Sequence, residues 1–358
     1  MASVARDESP RQDGTRPSLA VARVDEQDAA AWDALVGTLD DSTFFHRCAW
    51  RTLLCDELGG NDWSLCAKRG GQLVGLLPLV EVRSKLFGSS LTSLPFCSYA
   101  GPIARDEDCL PALIDGAIQL ARDLRVDRVE LRALKPLRHD DPRQDLYCTF
   151  RGPIPPDLHT LAGIPQKRRN VVRRAVALGL RAVVERDADR FFELYAENAR
   201  AHGTPALGRR FFRTLLDTFA SDSDVLFVMD ASGRDVSAIL NFYHRDEVLA
   251  YFAGETAAAR QTNANDFKYW SLMMHAAARG CSRFDFGRSK AGTGSFLFKR
   301  LWGFQPQQLH YEFPYLPSGR VPQNNPMNGK FRLAMDVWRR LPRSVVDRVG
   351  PLVVAGLG

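Results

Sequence analysis

Residues 225–256, VLFVMDASGRDVSAILNFYHRDEVLAYFAGET, decide the fold that we predict for this chain. Two apolar runs flank a turn at Ser232 and Gly233, and a third run follows directly, which predicts an antiparallel meander of three strands. A helical pattern over 265–280 and a short strand-like run at 283–289 come next. The stretch therefore predicts a sheet of the α/β class with a helix that leads to a further strand.

The rest of the chain repeats this plan in pattern, though not in letters. It begins with helical runs, followed by two strand-like runs over 63–84 that join at Arg69-Gly70-Gly71. A helix at 109–124 and a strand at 127–134 then precede a Pro- and Gly-rich boundary. The predicted organisation is a disordered tail at 1–18, a first domain at 19–152, a linker at 153–165, a second domain at 166–318 and a basic amphipathic helical tail at 319–358.

Composition narrows the class of protein. The 358 residues are 45% hydrophobic and 25% charged, which excludes a disordered or collagen-like chain. The net charge of +6 permits anionic partners such as phosphates, nucleotides or an anionic membrane surface. The seven cysteines form no C-x-x-C pair, so neither a disulfide framework nor a metal site is indicated. Neither a signal peptide nor a spanning apolar run is present, and we expect a cytoplasmic protein.

The late stretch 284–303, FDFGRSKAGTGSFLFKRLWG, is the first candidate for chemistry. Gly292 and Gly294 precede a short helical run, where glycines either allow a tight turn or let an anion approach free backbone N–H groups. Lys299 follows within the same run. Its ammonium is either a solvated cation or a clamp for a phosphate or a developing oxyanion.

Two further side chains are candidate acids or bases. Asp285 alternates with phenylalanines at the end of a strand, so it either accepts a proton from an amine or pairs with Arg288 to fix the turn. His202 stands before a Gly-Thr-Pro turn, where it is either a base near neutral pH or a loop histidine with a satisfied ring.

Two basic segments are candidate binding surfaces. The helix at 166–179 concentrates cations that suit a diphosphate or an RNA backbone, although a solvated helix face is the alternative; they include Lys167, Arg168, Arg169 and Arg173. In the C-terminal tail, arginines flank an apolar stripe formed by Phe331, Ala334, Trp338 and Leu341. Such a helix either lies in a membrane interface or docks on the protein itself.

Several motifs in a fixed order resemble a known family. They are HRCAWRTLL, GLLPLVEVRSKLFGSSLTSLPF, IPQKRRNVVRRAVALGL, AHGTP, NDFKYW and FDFGRSKAGTGSFLFKRLWGFQP. Together they resemble the FemAB-like proteins of PEP-CTERM/exosortase exopolysaccharide systems, within the FemABX and BioF2-like acyltransferase superfamily. The resemblance implies a mixed α/β fold of two tandem GNAT-like domains. It also implies an enzyme, an N-acyltransferase acting on a cell-envelope or exopolysaccharide precursor.

The resemblance also implies roles for residues. Phe298 and Lys299 match the late Phe-Lys that handles the acyl donor, and the cations at 167–169 match a helix that contacts nucleotide-sugar phosphates. We expect Tyr269 of NDFKYW and Arg288 of the late motif to bind substrate as well. The donor is acyl-CoA or aminoacyl-tRNA, and the acceptor is a nucleotide-sugar or a lipid-linked saccharide or peptide. The chain carries neither a coiled-coil insertion for tRNA nor the Q/R-x-x-G-x-G/A pyrophosphate loop, so the donor stays open.

Two functions of other classes remain as alternatives. One is a degenerate, non-catalytic scaffold in polysaccharide assembly at the membrane, and the other is an RNA-binding protein that uses the basic helix. For the location we expect the cytoplasm, with peripheral contact at the inner face of the cytoplasmic membrane through the C-terminal tail.

Overall fold

The computed structural model describes residues 17–84, 88–106, 108–138, 140–319, 321 and 329–355. Three helices and eleven strands of the N-terminal half are described: α1 (Ala29–Thr38), α2 (Cys48–Leu58), α3 (Cys109–Leu124), β1 (Leu19–Arg23), β2 (Asn61–Asp62), β3 (Leu65–Arg69), β4 (Gln72–Leu77), β5 (Val80–Ser84), β6 (Gly88–Thr92), β7 (Ile103–Ala104), β8 (Arg128–Ala133), β9 (Arg143–Gln144), β10 (Tyr147–Thr149) and β11 (Arg151–Pro153).

The C-terminal half supplies the remaining described elements: α4 (Gln166–Ala177), α5 (Ala188–His202), α6 (Arg209–Thr218), α7 (Ala264–Ala278), α8 (Gly294–Arg300), α9 (Gly329–Arg340), α10 (Arg343–Ala355), β12 (Arg181–Glu185), β13 (Ser223–Met229), β14 (Asp235–His244), β15 (Glu247–Glu255), β16 (Arg283–Asp285), β17 (Ser289–Lys290), β18 (Gln307–Gln308) and β19 (His310–Tyr315).

Both halves follow the predicted plan. In the C-terminal half, β12 to β15 form an antiparallel meander, and α7 then leads to β16, which pairs parallel to β15. In the N-terminal half, β5 and β6 are antiparallel, and β8 after α3 pairs parallel to β6. The mixed α/β fold class is confirmed. A parallel pair needs a crossover connection, and in each half a helix provides it.

One prediction within the N-terminal half is wrong in detail. The run from 63 to 84 was expected to hold two strands, but it holds β3, β4 and β5. Pro78 stands between β4 and β5 and has no N–H to donate to a ladder. The chain changes sheets there, since β4 lies in a four-stranded sheet with β1, β3 and β7, whereas β5 belongs to a six-stranded one.

The two halves exchange strands. β19 lies between β8 and β9 in the six-stranded sheet of the N-terminal half, and β11 forms the edge of the C-terminal sheet next to β16. β10 pairs with both β17 and β18. The division into domains at 153–165 stays a prediction, and these exchanges tie the two sides of that boundary together.

An aromatic core also joins the halves. Phe44 stacks on Phe242 with ring centroids 4.2 Å apart, and Phe45 lies 4.9 Å from Tyr251. Trp50, fully buried, lies 5.2 Å from Phe242. Such aromatic pairs contribute about 0.5–1.5 kcal/mol each beyond area burial. Because Phe44, Phe45 and Trp50 come from the N-terminal half, the halves share one core.

The described part of the C-terminal tail is helical and docks on the protein. Val354 of α10 belongs to the shared core, and the Arg339 guanidinium of α9 donates to the carbonyl of His202. Phe331 and Ala334, which the sequence placed in the apolar stripe, have side chains outside the described part of the chain. In that described part, the helices are all too short or too polar to cross a bilayer.

Candidate active site

The late motif folds as strand, turn and short helix at the boundary between the halves. Asp285 ends β16, and the chain then turns through Gly287, whose φ of +71° favours glycine. Gly292 has a φ of +76°. Thr293 caps α8 by accepting a hydrogen bond from the Phe296 N–H at 3.4 Å. The backbone conformation of Gly292 therefore requires a glycine for the turn, as one of the two sequence interpretations proposed.

Asp285 has a buried side chain held by three hydrogen-bond donors. Its side chain is fully buried, and its carboxylate accepts hydrogen bonds from the Tyr99 hydroxyl, the Thr149 hydroxyl at 2.6 Å and the Gly287 N–H at 2.7 Å. The expected ion pair with Arg288 is replaced by other contacts. Arg288 donates to the Tyr311 hydroxyl at 3.0 Å, and the three donors to Asp285 are neutral groups.

Lys299 lies close to that carboxylate. It is 5% exposed, and its Nζ donates to the carbonyl oxygens of Gly287 at 2.8 Å and Arg288 at 3.2 Å. Burial lowers the pKa of Lys299 to about 8, against the opposing attraction of Asp285. An ammonium has three donors, and these two contacts leave one N–H for another acceptor.

The loop 93–101 of the N-terminal half closes this region. Leu94 and Phe96 both have a φ of +59°, a left-handed conformation that costs a non-glycine residue about 1–3 kcal/mol. Three successive carbonyls hold the loop, since Phe96 accepts from Tyr251 at 2.5 Å, Cys97 from Arg132 at 3.2 Å and Ser98 from Tyr311 at 2.8 Å. The next residue, Tyr99, is the donor to Asp285.

The sheet has an open edge beside Lys299. Pairing between β15 and β16 ends at Leu249 and Asp285, yet β15 continues to Glu255 with β14 as its one recorded neighbour among the described strands. After β16, the Phe286 N–H donates to the Phe150 carbonyl at 3.0 Å, and a Cβ on Gly287 would lie 3.3 Å from the Ala250 carbonyl oxygen, so the chain passes β15 at Ala250 without pairing with it further. Beyond Ala250, the described strands leave this side of β15 without a partner strand, and the Ala253 carbonyl there accepts from the Asn198 amide at 3.4 Å, so part of the backbone is offered to an extended ligand.

Aromatic side chains border this edge. The Tyr269 ring of α7 lies 5.5 Å from Phe298 of α8 and 4.9 Å from Phe286. Both predicted substrate-binding rings, Tyr269 and Phe298, therefore meet in one cluster with the motif that carries Lys299. Gly294, the other predicted glycine, starts α8 with open space around its Cα.

The basic helix α4 carries both anchored cations and cations exposed to solvent. Arg168 forms a salt bridge to the buried Asp266 at 2.9 Å, and Arg169 donates to the carbonyls of Ala162 and Ile164, so these two guanidinium groups hold the structure. Lys167 and Arg173 are exposed. A charge run does not show which of its members packs against a neighbouring helix.

His202 lies elsewhere. It is exposed at the end of α5, its Nδ1 is 2.8 Å from the Asn198 carbonyl, and its own carbonyl binds Arg339 of the tail. The contacts recorded for His202 in the described part of the chain do not include the Lys299 region.

The sequence does not predict several buried groups of this region. Tyr99 and Thr149 stand 186 and 136 residues from Asp285, so no local pattern marks them. Lys268 is fully buried, donates to the Ser237 hydroxyl at 3.0 Å, and has a pKa lowered by burial. The one sign of Lys268 in the sequence is a lysine that stands within the apolar run of a predicted helix.

Comparison with known proteins gives a family match for part of the chain. Residues 165–300 match the family model described as Acetyltransferase (GNAT) domain. The match covers α4 through α8, including the open edge of β15 and Lys299. The prediction of an acyltransferase enzyme with a GNAT domain is confirmed at that level. A search of curated proteins finds no match to the chain.

Solved structures show the same fold along most of the chain. FemX aligns with a TM-score of 0.60 at 14% identity, covering 82% of this chain and 97% of that one. The C-terminal domain of a putative lysylphosphatidylglycerol synthetase from Agrobacterium fabrum gives 0.58 at 15% identity, with 82% and 93% covered. A tandem GNAT protein from the clavulanic acid biosynthesis pathway gives 0.55 at 11% identity, with 83% and 98% covered. The predicted fold of two tandem GNAT-like domains is confirmed.

Proposed function

We propose that the protein is an N-acyltransferase that moves an acyl or aminoacyl group onto an amine of a cell-envelope or exopolysaccharide precursor. The observation that carries the proposal is that Lys299 lies near the open edge of β15: its Nζ donates to the Gly287 carbonyl at 2.8 Å, and a Cβ on Gly287 would lie 3.3 Å from the Ala250 carbonyl oxygen. An extended acyl donor with amide groups would pair with that edge, which would bring its carbonyl to the ammonium.

The chemistry is direct attack of the amine on the carbonyl carbon of a thioester or ester. The C–N bond forms while the carbonyl oxygen becomes an oxyanion, and the thiolate or alkoxide then leaves. Lys299 would donate its remaining N–H to that oxygen, in a buried setting where the interaction is strong. The carbonyls of Gly287 and Arg288 hold the ammonium, the nearby Asp285 favours its charged form, and Asp285 is the candidate to receive the proton of the amine. His202 is left out, because its contacts lie at α5 and the tail.

The partners follow from the same proposal. Acyl-CoA or aminoacyl-tRNA would be the donor, and a nucleotide-sugar or lipid-linked saccharide or peptide the acceptor. The exposed Lys167 and Arg173 are proposed to contact acceptor phosphates, while the anchored Arg168 and Arg169 shape the helix that presents them. Association with a PEP-CTERM/exosortase system and location at the inner membrane face belong to this proposal.

Two measurements test it. Thermal-shift screening with acyl-CoAs, charged tRNA and UDP-sugars identifies a donor and an acceptor, and intact-mass analysis then follows acyl transfer. Lys299→Ala should lower turnover by about 10²–10³-fold, as the loss of an oxyanion donor does. Lys135→Ala, at a lysine whose side chain is 71% exposed, is the matched control.

Two results would contradict the proposal. Unchanged turnover in the Lys299 variant would remove the lysine from the mechanism. If no donor stabilises the protein and no mass change is found, the non-catalytic scaffold is the better account.

A further inference from the structure

Helix α10 carries two apolar faces, and the first is docked on the protein. Val346 and Val354 are 1% and 5% exposed. Gly350 lies so close to the turn before α6 that a Cβ there would be 3.0 Å from the Ala206 carbonyl oxygen. This face fixes α10 against the body of the protein.

The second apolar face of α10 points to solvent. Val345, Val349, Leu352 and Val353 are 39%, 37%, 76% and 37% exposed, and their spacing places them on one side of the helix within about 100°. Val337 of α9 adds a further 52% exposed side chain. Single exposed apolar residues are common, but a contiguous stripe marks an interaction surface. We call Val345, Val349, Leu352 and Val353 the outer stripe.

Two exposed arginines accompany the outer stripe, Arg348 on α10 and Arg340 at the end of α9. Arg340 and Arg348 are exposed, and neither takes part in a salt bridge within the described residues. Arg343, by contrast, is held by Glu193 and Asp347. The surface therefore combines apolar side chains with free positive charge, which is the chemistry of a helix that lies in an anionic lipid interface.

We infer that the outer stripe of α10 inserts into an anionic bilayer while the other face stays docked on the protein. A second copy of the chain is the less suitable occupant, because it would bring the same arginines on a molecule of net charge +6 against one another. The inference differs from the stripe predicted in the sequence: Trp338 and Leu341 of that set are half-buried, and the exposed residues belong to the next helix. It deepens the membrane location given in the proposed function, and vesicle binding tests it separately from the acyl-transfer chemistry.

Co-sedimentation of the full chain with vesicles tests the inference. One vesicle set is pure phosphatidylcholine, and the other contains one-third phosphatidylglycerol. The wild type should bind the anionic set, and less so as salt is raised. Val349→Asp with Leu352→Asp should weaken that binding about tenfold or more, because two apolar side chains no longer enter the interface. Val176→Asp on α4, at a residue 51% exposed on another surface, is the matched control.

A second variant removes charge and keeps the stripe. Arg340→Gln with Arg348→Gln should weaken binding to the anionic vesicles several-fold and flatten its salt dependence. Melting temperatures confirm that all variants fold. The inference is overturned if the wild type ignores anionic vesicles, if the Asp variant binds as the wild type does, or if Val176→Asp loses binding equally. Sedimentation velocity that shows a stripe-dependent dimer without vesicle binding would assign the surface to a second copy and overturn it too.

Discussion

Replacing Lys299 by methionine should change how the stability of the protein depends on pH. The Lys299 side chain is 5% exposed, and burial lowers its pKa from 10.5 to about 8. Between these two values the unfolded chain binds a proton that the folded protein has released, so the stability of the wild type rises with pH. The difference between the two pKa values, at about 1.4 kcal/mol per unit, corresponds to an increase of about 3 kcal/mol in the free energy of unfolding. Methionine does not titrate, so the stability of the Lys299→Met variant lacks this increase with pH.

Urea unfolding from pH 7 to pH 10 measures the effect. The free energy of unfolding of the wild type minus that of Lys299→Met should increase by about 2–3 kcal/mol across this range, because other titrating groups cancel in the difference. Lys135→Met, with its side chain 71% exposed, should give a difference that stays flat. A flat difference for Lys299→Met would refute the idea that a charged lysine is held in a buried site. The loss of its two hydrogen bonds to carbonyls adds only a constant offset.

Three further changes test the packing around the site. Gly254→Ala places a Cβ 2.6 Å from the backbone of α5 and should cost about 1–3 kcal/mol in thermal unfolding, whereas Gly37→Ala, in a helix with open space, should be neutral or stabilising. Arg168→Ala leaves its buried carboxylate partner on α7 unpaired, and we expect a loss of about 3 kcal/mol in urea unfolding that a lysine partly restores. Tyr99→Phe removes one of three donors to Asp285 and should cost about 2 kcal/mol; an effect near zero would show that the carboxylate does not need it.

Much of the fold could be predicted because it depends on local periodicity. The meander from β13 to β15, the helices that follow it and the glycine turn before Lys299 all appear where the pattern put them. The error at β4 and β5 has a tertiary cause. A single apolar run, interrupted by Pro78, serves two sheets, and the assignment of strands to sheets is not encoded in the run itself.

The candidate site was predictable in part for the same reason. Its motif is contiguous, so Asp285 and Lys299 stood together in the sequence, and the aromatic character of their surroundings was visible there. The outer stripe on α10 was less accessible. Both its faces are apolar, and only packing shows that Val346 is docked while Leu352 is left in solvent.

By itself, the sequence determined the order of helices and strands, the turn at Gly292 and the presence of a lysine in the late motif. The tertiary structure alone decided that Asp285 takes Tyr99 and Thr149 as partners rather than Arg288, across separations of 186 and 136 residues. Local patterns follow from the geometry of one element. Partners so far apart are chosen by how elements pack, because a buried charge must find its donors wherever the assembled chain presents them.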